Sequence, residues 1–199
     1  ARYRKGIDIR DYGSGNVGAT NVMAHVGSRT GFLLGIFDCL AKGTLPVLVG
    51  KWLDLSLSVQ VAAGLVAIAG HNWSPLLRFT GGRGVATSIG VVLGVGMWWQ
   101  MLIMAIGPGL IGRGLIYKDS APWTIASLLM LIALTLIYES QIYIIWLLIG
   151  LLALMVLKRL MSNSGIPPLR RDFFSVMFFR IIFDRDVMSK RDWISCDPV

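Results

Sequence analysis

Glycines, hydroxyls, amides and one guanidinium recur in two polar stretches of an otherwise apolar chain. The first is Gly13-Ser14-Gly15-Asn16-Val17-Gly18-Ala19-Thr20-Asn21, and the second runs from Gly70-His71 through Phe79-Thr80-Gly81-Gly82-Arg83-Gly84-Val85-Ala86-Thr87. Each leads into a hydrophobic segment able to begin as a helix. Backbone N–H groups are free at such a start and the helix dipole favours an anion, so the pattern suits phosphate. In the first stretch the glycines allow close backbone approach, while Ser14, Asn16, Thr20 and Asn21 supply short donors and acceptors. A glycine-serine loop taken alone is equally an ordinary turn. The second stretch adds Arg83, suited to bidentate phosphate contact. Its alternative role is to anchor a cytoplasmic loop. His71 is open to three readings: base, phosphate contact or structural hydrogen bonder. Two such cradles suggest two phosphorylated ligands handled at a membrane surface.

Other residues frame these. Asp38 and Lys42 stand four apart inside an apolar run, where ionisable groups face a cavity or a partner. They can pair with each other, or Lys42 can reach a phosphate. Gly90 and Gly94 permit close helix packing. The chain contains no Gly-Lys-Ser/Thr phosphate loop. It also lacks a His-x4-Asp pair: His71 is followed at that place by Leu76 and His25 by Thr30. No Ser-His-Asp or Cys-His set is readable. His25 and His71 are too few for a histidine-rich metal site, and Cys39 and Cys196 are too far apart for a Cys-x-x-Cys motif. Neither a metal nor a cofactor is expected.

The elements that position these residues belong in a bilayer. Of 199 residues, 55% are hydrophobic, and the mean hydropathy is +0.67. That composition excludes a soluble domain and points to an all-α integral membrane protein. The net charge of +8 comes from basic residues beside apolar runs. It therefore reads as contact with anionic membrane lipids and as cytoplasmic loop placement, not as nucleic-acid binding. The start Ala-Arg-Tyr-Arg-Lys-Gly does not read as a signal peptide.

Five apolar regions stand out, at roughly 31–52, 55–69, 85–111, 123–138 and 142–157. A helix needs about 20 residues to cross about 30 Å of hydrocarbon. If 85–111 were one span, Arg113, Lys118 and the basic tail would fall outside. If it is a hairpin of two short helices broken near Gly96, every basic cluster is cytoplasmic. The hairpin is preferred. It gives a compact bundle of about six helices, multi-pass in the membrane, with both motifs and the C-terminal tail cytoplasmic. The domain expectation is 1–160 for the membrane unit and 161–199 for the tail. Between Pro168 and Trp193, Phe173, Phe174, Met177, Phe178, Ile181 and Ile182 recur at helical spacing. That is an amphipathic helix lying in the interface, or a terminal helix packed on the bundle.

These motifs, in this order, resemble the bacterial membrane acyltransferases that move a fatty acyl group from acyl phosphate to glycerol 3-phosphate. The match rests on 13–21, Lys42-Gly43, Gly70-His71 and Gly81-Gly82-Arg83-Gly84-Val85-Ala86-Thr87, with Lys5-Gly6-Ile7-Asp8-Ile9-Arg10-Asp11-Tyr12 ahead of them. It covers roughly residues 5–160. The resemblance implies a seven-helix fold, one N-terminal helix of which is not represented here. It implies the products 1-acyl-glycerol 3-phosphate and phosphate, without coenzyme A, in phospholipid biosynthesis. It also implies a soluble acyl-phosphate synthase as partner. By that resemblance Ser14, Asn16 and His71 are catalytic. Gly15, Thr20, Asn21, Lys42, Gly81, Gly82, Arg83, Gly84, Thr87 and Ser120 hold substrate or phosphate.

The chain departs from the family pattern in places. Ala24 stands where the family has Arg, and Arg83 where Lys is common. The spacing from Asp38 to Lys42 is one residue longer than usual. Of two familiar serines only Ser120 matches, Trp123 taking the other place. The family's His and Asn near the end become Ala153 and Val156. The alternatives are a non-catalytic or altered-substrate paralogue that binds acyl phosphate or phospholipid, and a small organic-phosphate transporter.

Overall fold

The computed structural model describes residues 1–13, 15–138, 141–162 and 172–186. Its main helices are α1 (Ala19–His25), α2 (Ser28–Trp52), α3 (Leu57–Asn72), α4 (Val85–Gly94), α5 (Trp98–Ile116), α6 (Ser120–Tyr138), α7 (Ile142–Met161) and α8 (Phe173–Phe183). No strand occurs among the described residues. The helices α2, α5, α6 and α7 are long and apolar enough to cross a membrane, and α3 and α4 are shorter. The expected hairpin is present. It breaks between Gly94 and Trp98, where Gly96 takes a φ of 97° that glycine alone adopts without strain. Its second limb runs past the expected end at 111 to Ile116.

Two helices carry widened, π-type stretches, Asp38–Thr44 in α2 and Ala105–Ile116 in α5. A proline explains part of each. Pro46 follows the first and Pro108 lies inside the second, and neither can donate to the helical ladder. In α2 the wider turn carries both Asp38 and Lys42, which pair along it.

Close crossings hold the centre. Gly43 of α2 meets Gly90 of α4 so tightly that a Cβ on Gly43 would lie 2.9 Å from the Gly90 Cα. Thr44 Oγ1 donates to the Gly90 carbonyl at 2.9 Å across the same crossing. A Cβ on Gly94 would lie 2.9 Å from that of Val47, and one on Gly64 of α3 would lie 2.5 Å from Val91 Cγ1. Small residues let backbones approach where lipid offers no hydrophobic drive. Around this crossing Val47, Ile68, Val91, Leu147 and Leu148 form the core. A smaller cluster of Ile9, Val22 and Val26 folds the N-terminal segment onto α1. Beside it the Arg2 and Arg10 guanidinium groups and the Arg10 N–H hold the Asp8 carboxyl well below the usual carboxylate range.

The outer faces are apolar, with Phe32, Leu33, Val66 and Leu136 all exposed. Trp52, Trp98, Trp99, Tyr138 and Tyr143 are exposed together at the end of the bundle formed by the α2–α3 and α4–α5 turns and the α6–α7 ends. Aromatic girdles of this kind sit at headgroup level. At the opposite end α8 packs on α6 and α7, and its buried Arg180 donates to the Leu160 carbonyl at 2.8 Å. Expectations for 168–171 and 187–193 lie outside the described residues.

Candidate active site

The two glycine-rich stretches meet at the end of the bundle away from the aromatic girdle. Gly13 and Gly15 hold the first loop in left-handed turns, φ 55° and 64°. Asn21 closes it from inside. Its side-chain amide donates to the carbonyls of Ile9, Tyr12 and Asn16 at 3.2, 2.9 and 2.8 Å. Asn16 is buried, while Thr20 is exposed in the first turn of α1. Gly18 caps α1 in extended conformation and faces the second stretch: its Cβ position lies 3.9 Å from the Gly82 Cα. Ser14 lies outside the described residues.

The second stretch wraps the C-terminal end of α3. The Gly82 N–H donates to the His71 carbonyl at 3.3 Å. A Cβ on Gly82 would strike the His71 imidazole, and one on Gly81 would lie 2.5 Å from the Asn72 carbonyl oxygen. Gly84 starts α4 with a φ of 72°, against the Asn72 amide. These three glycines are demanded by contact and by conformation, so the loop wraps where a side chain would hold it off. Thr87 is fully buried one turn into α4.

Ionisable groups gather on both sides of this loop. On one side the buried Asp38 carboxylate pairs with Lys42 Nζ at 2.7 Å and lies 3.7 Å from His71 Nδ1. All three line a cleft of about 520 Å³ together with Val17, Gly70 and Ser74. On the other side an apolar groove of about 420 Å³ runs between α4, α5, α6 and α7. Ile89, Val92, Leu131 and Leu151 line its length, and Asn72, Arg83, Ser88 and Ser120 supply polar groups. Consecutive residues His71 and Asn72 thus open onto different compartments. Trp123 also lines the groove, its indole N–H donating to the Tyr117 carbonyl at 2.8 Å and its ring laid on Gly112.

Arg83 does not join Lys42 and His71 in the cleft. Its Nη1 donates to the Lys158 carbonyl at 2.9 Å, and its Nε pairs with Asp184 at 3.0 Å. Asp184 follows α8 directly. Burial pushes its carboxyl up, against the pull of Arg83 and Arg159. Arg185 pairs with Asp119, and Arg159 donates to Ala121, Thr124 and the carbonyls of Ile181 and Ile182. Sequence reasoning reached Asp38 only as one of a pair, read Asp184 and Arg185 only as part of the polar face of the tail helix, and missed Asn72 and Asp119. Lys158 and Arg159 read there as a topological charge cluster. Asn72 had a local signal, lying next to His71. The ion pairs to the tail had none, because their partners are distant in sequence.

The family model for glycerol-3-phosphate acyltransferase matches residues 1–165. The glycerol-3-phosphate acyltransferase 4 of Dehalococcoides mccartyi (strain CBDB1) is 36% identical over 206 residues, spanning 98% of this chain and 84% of that protein. A glycerol-3-phosphate acyltransferase of Thermoanaerobacter sp. (strain X514) is 36% identical over 169 residues, 82% and 83% of the two chains. The fold is also similar to the crystal structure of PlsY, an integral membrane glycerol 3-phosphate acyltransferase, in its glycerol 3-phosphate form. The TM-score is 0.68 with 28% identity, over 78% of this chain and 76% of that one.

Proposed function

The chain belongs to the glycerol-3-phosphate acyltransferase family, and on that premise we propose that it draws its acyl group from acyl phosphate. It is a multi-pass membrane acyltransferase of phospholipid synthesis, acting on glycerol 3-phosphate. The proposed products are 1-acyl-glycerol 3-phosphate and inorganic phosphate. The observation that carries the donor is the apolar groove of about 420 Å³ with Arg83 in its lining. An acyl phosphate has that shape: a charged head on a chain that stays in the membrane.

Acyl phosphate is already activated, so no protein nucleophile is needed. The site has to align the glycerol 1-hydroxyl with the acyl carbonyl and stabilise the charge that develops. The carbonyl carbon forms a bond to the hydroxyl oxygen and loses its bond to phosphate, and a phosphate oxygen takes the hydroxyl proton. In this reading Arg83 neutralises a phosphate, and the loop of Gly81, Gly82 and Gly84, packed on His71 and Asn72, sets that arginine in place. Lys42, paired with Asp38, draws the second anion into the cleft, where the His71 imidazole offers a neutral hydrogen-bonding edge. Ser14 and Asn16 are proposed to serve the reacting groups, while Gly15 and Asn21 set the shape of their loop and Thr20 stands exposed beside it. Ser120 completes the polar lining of the groove, and the fully buried Thr87 supports the start of α4 behind the loop.

Both motifs and the tail are proposed to face the cytoplasm. The charge distribution supports this: Arg10, Arg78, Arg83, Lys158 and Arg159 share one end of the bundle. A soluble acyl-phosphate synthase would then deliver the donor from that side. Residues 1–160 form the catalytic membrane unit in this reading. In the tail, α8 lies at the same end of the bundle, packed on α6 and α7.

Purified protein given acyl phosphate and radiolabelled glycerol 3-phosphate should form labelled lysophosphatidate. Phosphate release without lysophosphatidate would sink the transfer reaction. Saturable acyl-phosphate binding without turnover would point to a non-catalytic relative.

A further inference from the structure

The cation of the second motif is already engaged by an anion of the chain itself. Arg83 Nε pairs with Asp184 at 3.0 Å, in a part-buried setting where the Arg83 side chain is 14% exposed. Asp184 is no chance neighbour. It ends α8 in the left-handed region, φ 58°, which aspartate tolerates better than most residues. Three further contacts fix that end of the segment. Arg159 holds the carbonyls of Ile181 and Ile182, Arg180 holds the Leu160 carbonyl, and Arg185 pairs with Asp119. The segment from Phe173 to Asp186 lies beyond the residues that the family model matches, which end at 165. It nonetheless reaches the motif's arginine.

A carboxylate beside a guanidinium makes the same charge-assisted contact as a phosphate oxygen. Both cannot hold that face of Arg83 at once, and a phosphate brought next to Asp184 would meet a like charge. Lys158 and Arg159 are buried beside Arg83, and buried like charges repel, so an anion placed among them is favourable. An internal counter-ion supplies that anion when no ligand is bound.

We propose that Asp184 is the resting counter-ion of the phosphate site and competes with the substrate phosphate for Arg83. The C-terminal segment thereby sets the concentration of phosphate monoester at which the site fills. The carboxylate withdraws as the anion enters, so one negative charge replaces another. The proposal rests on the reading of Arg83 as a phosphate ligand.

Inorganic phosphate titrated calorimetrically into the detergent-solubilised full chain tests it. The Asp184→Asn variant should bind phosphate at least about threefold more tightly than wild type, the scale of one part-exposed ion pair. Arg83→Gln should weaken binding and erase the difference when combined with Asp184→Asn. Arg185→Ala, which frees the segment at Asp119 without touching Arg83, should shift affinity the same way, and it carries the test if Asp184→Asn does not fold. In turnover, the KM for glycerol 3-phosphate or for acyl phosphate should fall in Asp184→Asn with kcat no lower. Unchanged or weaker phosphate binding overturns the proposal. So does a raised KM with a lowered kcat, which would make Asp184 a residue that holds Arg83 in place. Arg83→Gln binding phosphate as wild type does overturns the assignment of Arg83 and this inference with it. A wild type that binds phosphate but transfers no acyl group sinks the proposed reaction alone, because the binding comparison needs no turnover.

Discussion

Arg83 and Lys42 are both cations of the site, yet replacing them should have opposite balances of effect. Arg83 contacts a backbone carbonyl and a part-buried carboxylate, both of which have other cations near them. Arg83→Gln should therefore fold, and lower kcat/KM by about tenfold to a hundredfold, the worth of a charge-assisted contact of about 1.5–3 kcal/mol. Steady-state assays with acyl phosphate check this; an unaffected kcat/KM would demote Arg83 to an anchor. Lys42 is the close partner of Asp38, which is only 3% exposed, whereas Lys42 itself is 42% exposed. Removing the lysine strands a buried carboxylate beside His71. Removing the carboxylate leaves a lysine that can reach water. Lys42→Met should thus lower the melting temperature in detergent more than Asp38→Asn, because stripping one partner from a buried pair costs up to about 3–5 kcal/mol. Equal shifts would mean that the pair is solvated. Trp123 offers a different kind of test. It fills part of the groove, so Trp123→Ser should lengthen the acyl chain preferred among a series of acyl phosphates. A variant with the parent's preference would place the chain elsewhere.

At the scale of the helices, the site depends on how closely α2, α3 and α4 cross. Gly90→Ala would drive a methyl into the Cys39 carbonyl and to 3.0 Å from the Gly43 Cα. Backbone cannot yield as a flexible side chain can, so the helices must part. Overpacking of this kind costs about 1–3 kcal/mol. Gly90→Ala should melt several degrees lower and lose activity together with stability, since α2 carries Asp38 and Lys42 and α4 begins at the glycine loop. Gly107→Ala, with open space around its Cβ position, is the control and should behave as wild type in both respects. Much of this architecture is legible in the sequence. The apolar runs mark the helices, Gly96 marks the hairpin break, and the Gly90-x-x-x-Gly94 spacing marks a crossing, because each is a local consequence of composition and period. The Asp38-to-Lys42 spacing is visible too, but the π-type turn that carries it is not, since that depends on Pro46 and on the neighbours of α2. The meeting of Gly18 with Gly82 follows from tertiary packing alone. So does the split of His71 and Asn72 between two compartments, as neither depends on any repeat in the chain.

The whole molecule is polarised along the membrane normal. Exposed tryptophans and tyrosines crowd the end near the α2–α3 and α4–α5 turns, and Lys51 sits there beside Gly96, 3.9 Å from its Cβ position. Arginines and lysines dominate the other end, where the glycine loops, the C-terminal end of α7 and α8 converge. The basic end should face the cytoplasm, because basic loops are retained there during insertion. The chemistry demands the same side if a soluble enzyme supplies the acyl phosphate. Two exposed positions discriminate the orientations: Ser56 in the α2–α3 turn and Leu76 in the loop after α3. In a chain with Cys39 and Cys196 replaced by serine, Ser56→Cys should react with a membrane-impermeant thiol reagent on intact bacteria. Leu76→Cys should react only after permeabilisation. The reverse pattern would place the phosphate loops outside and leave the proposed donor without a route to them. Labelling of both positions on intact cells would mean that the loop after α3 does not lie behind the membrane, and the six-helix topology would have to be redrawn.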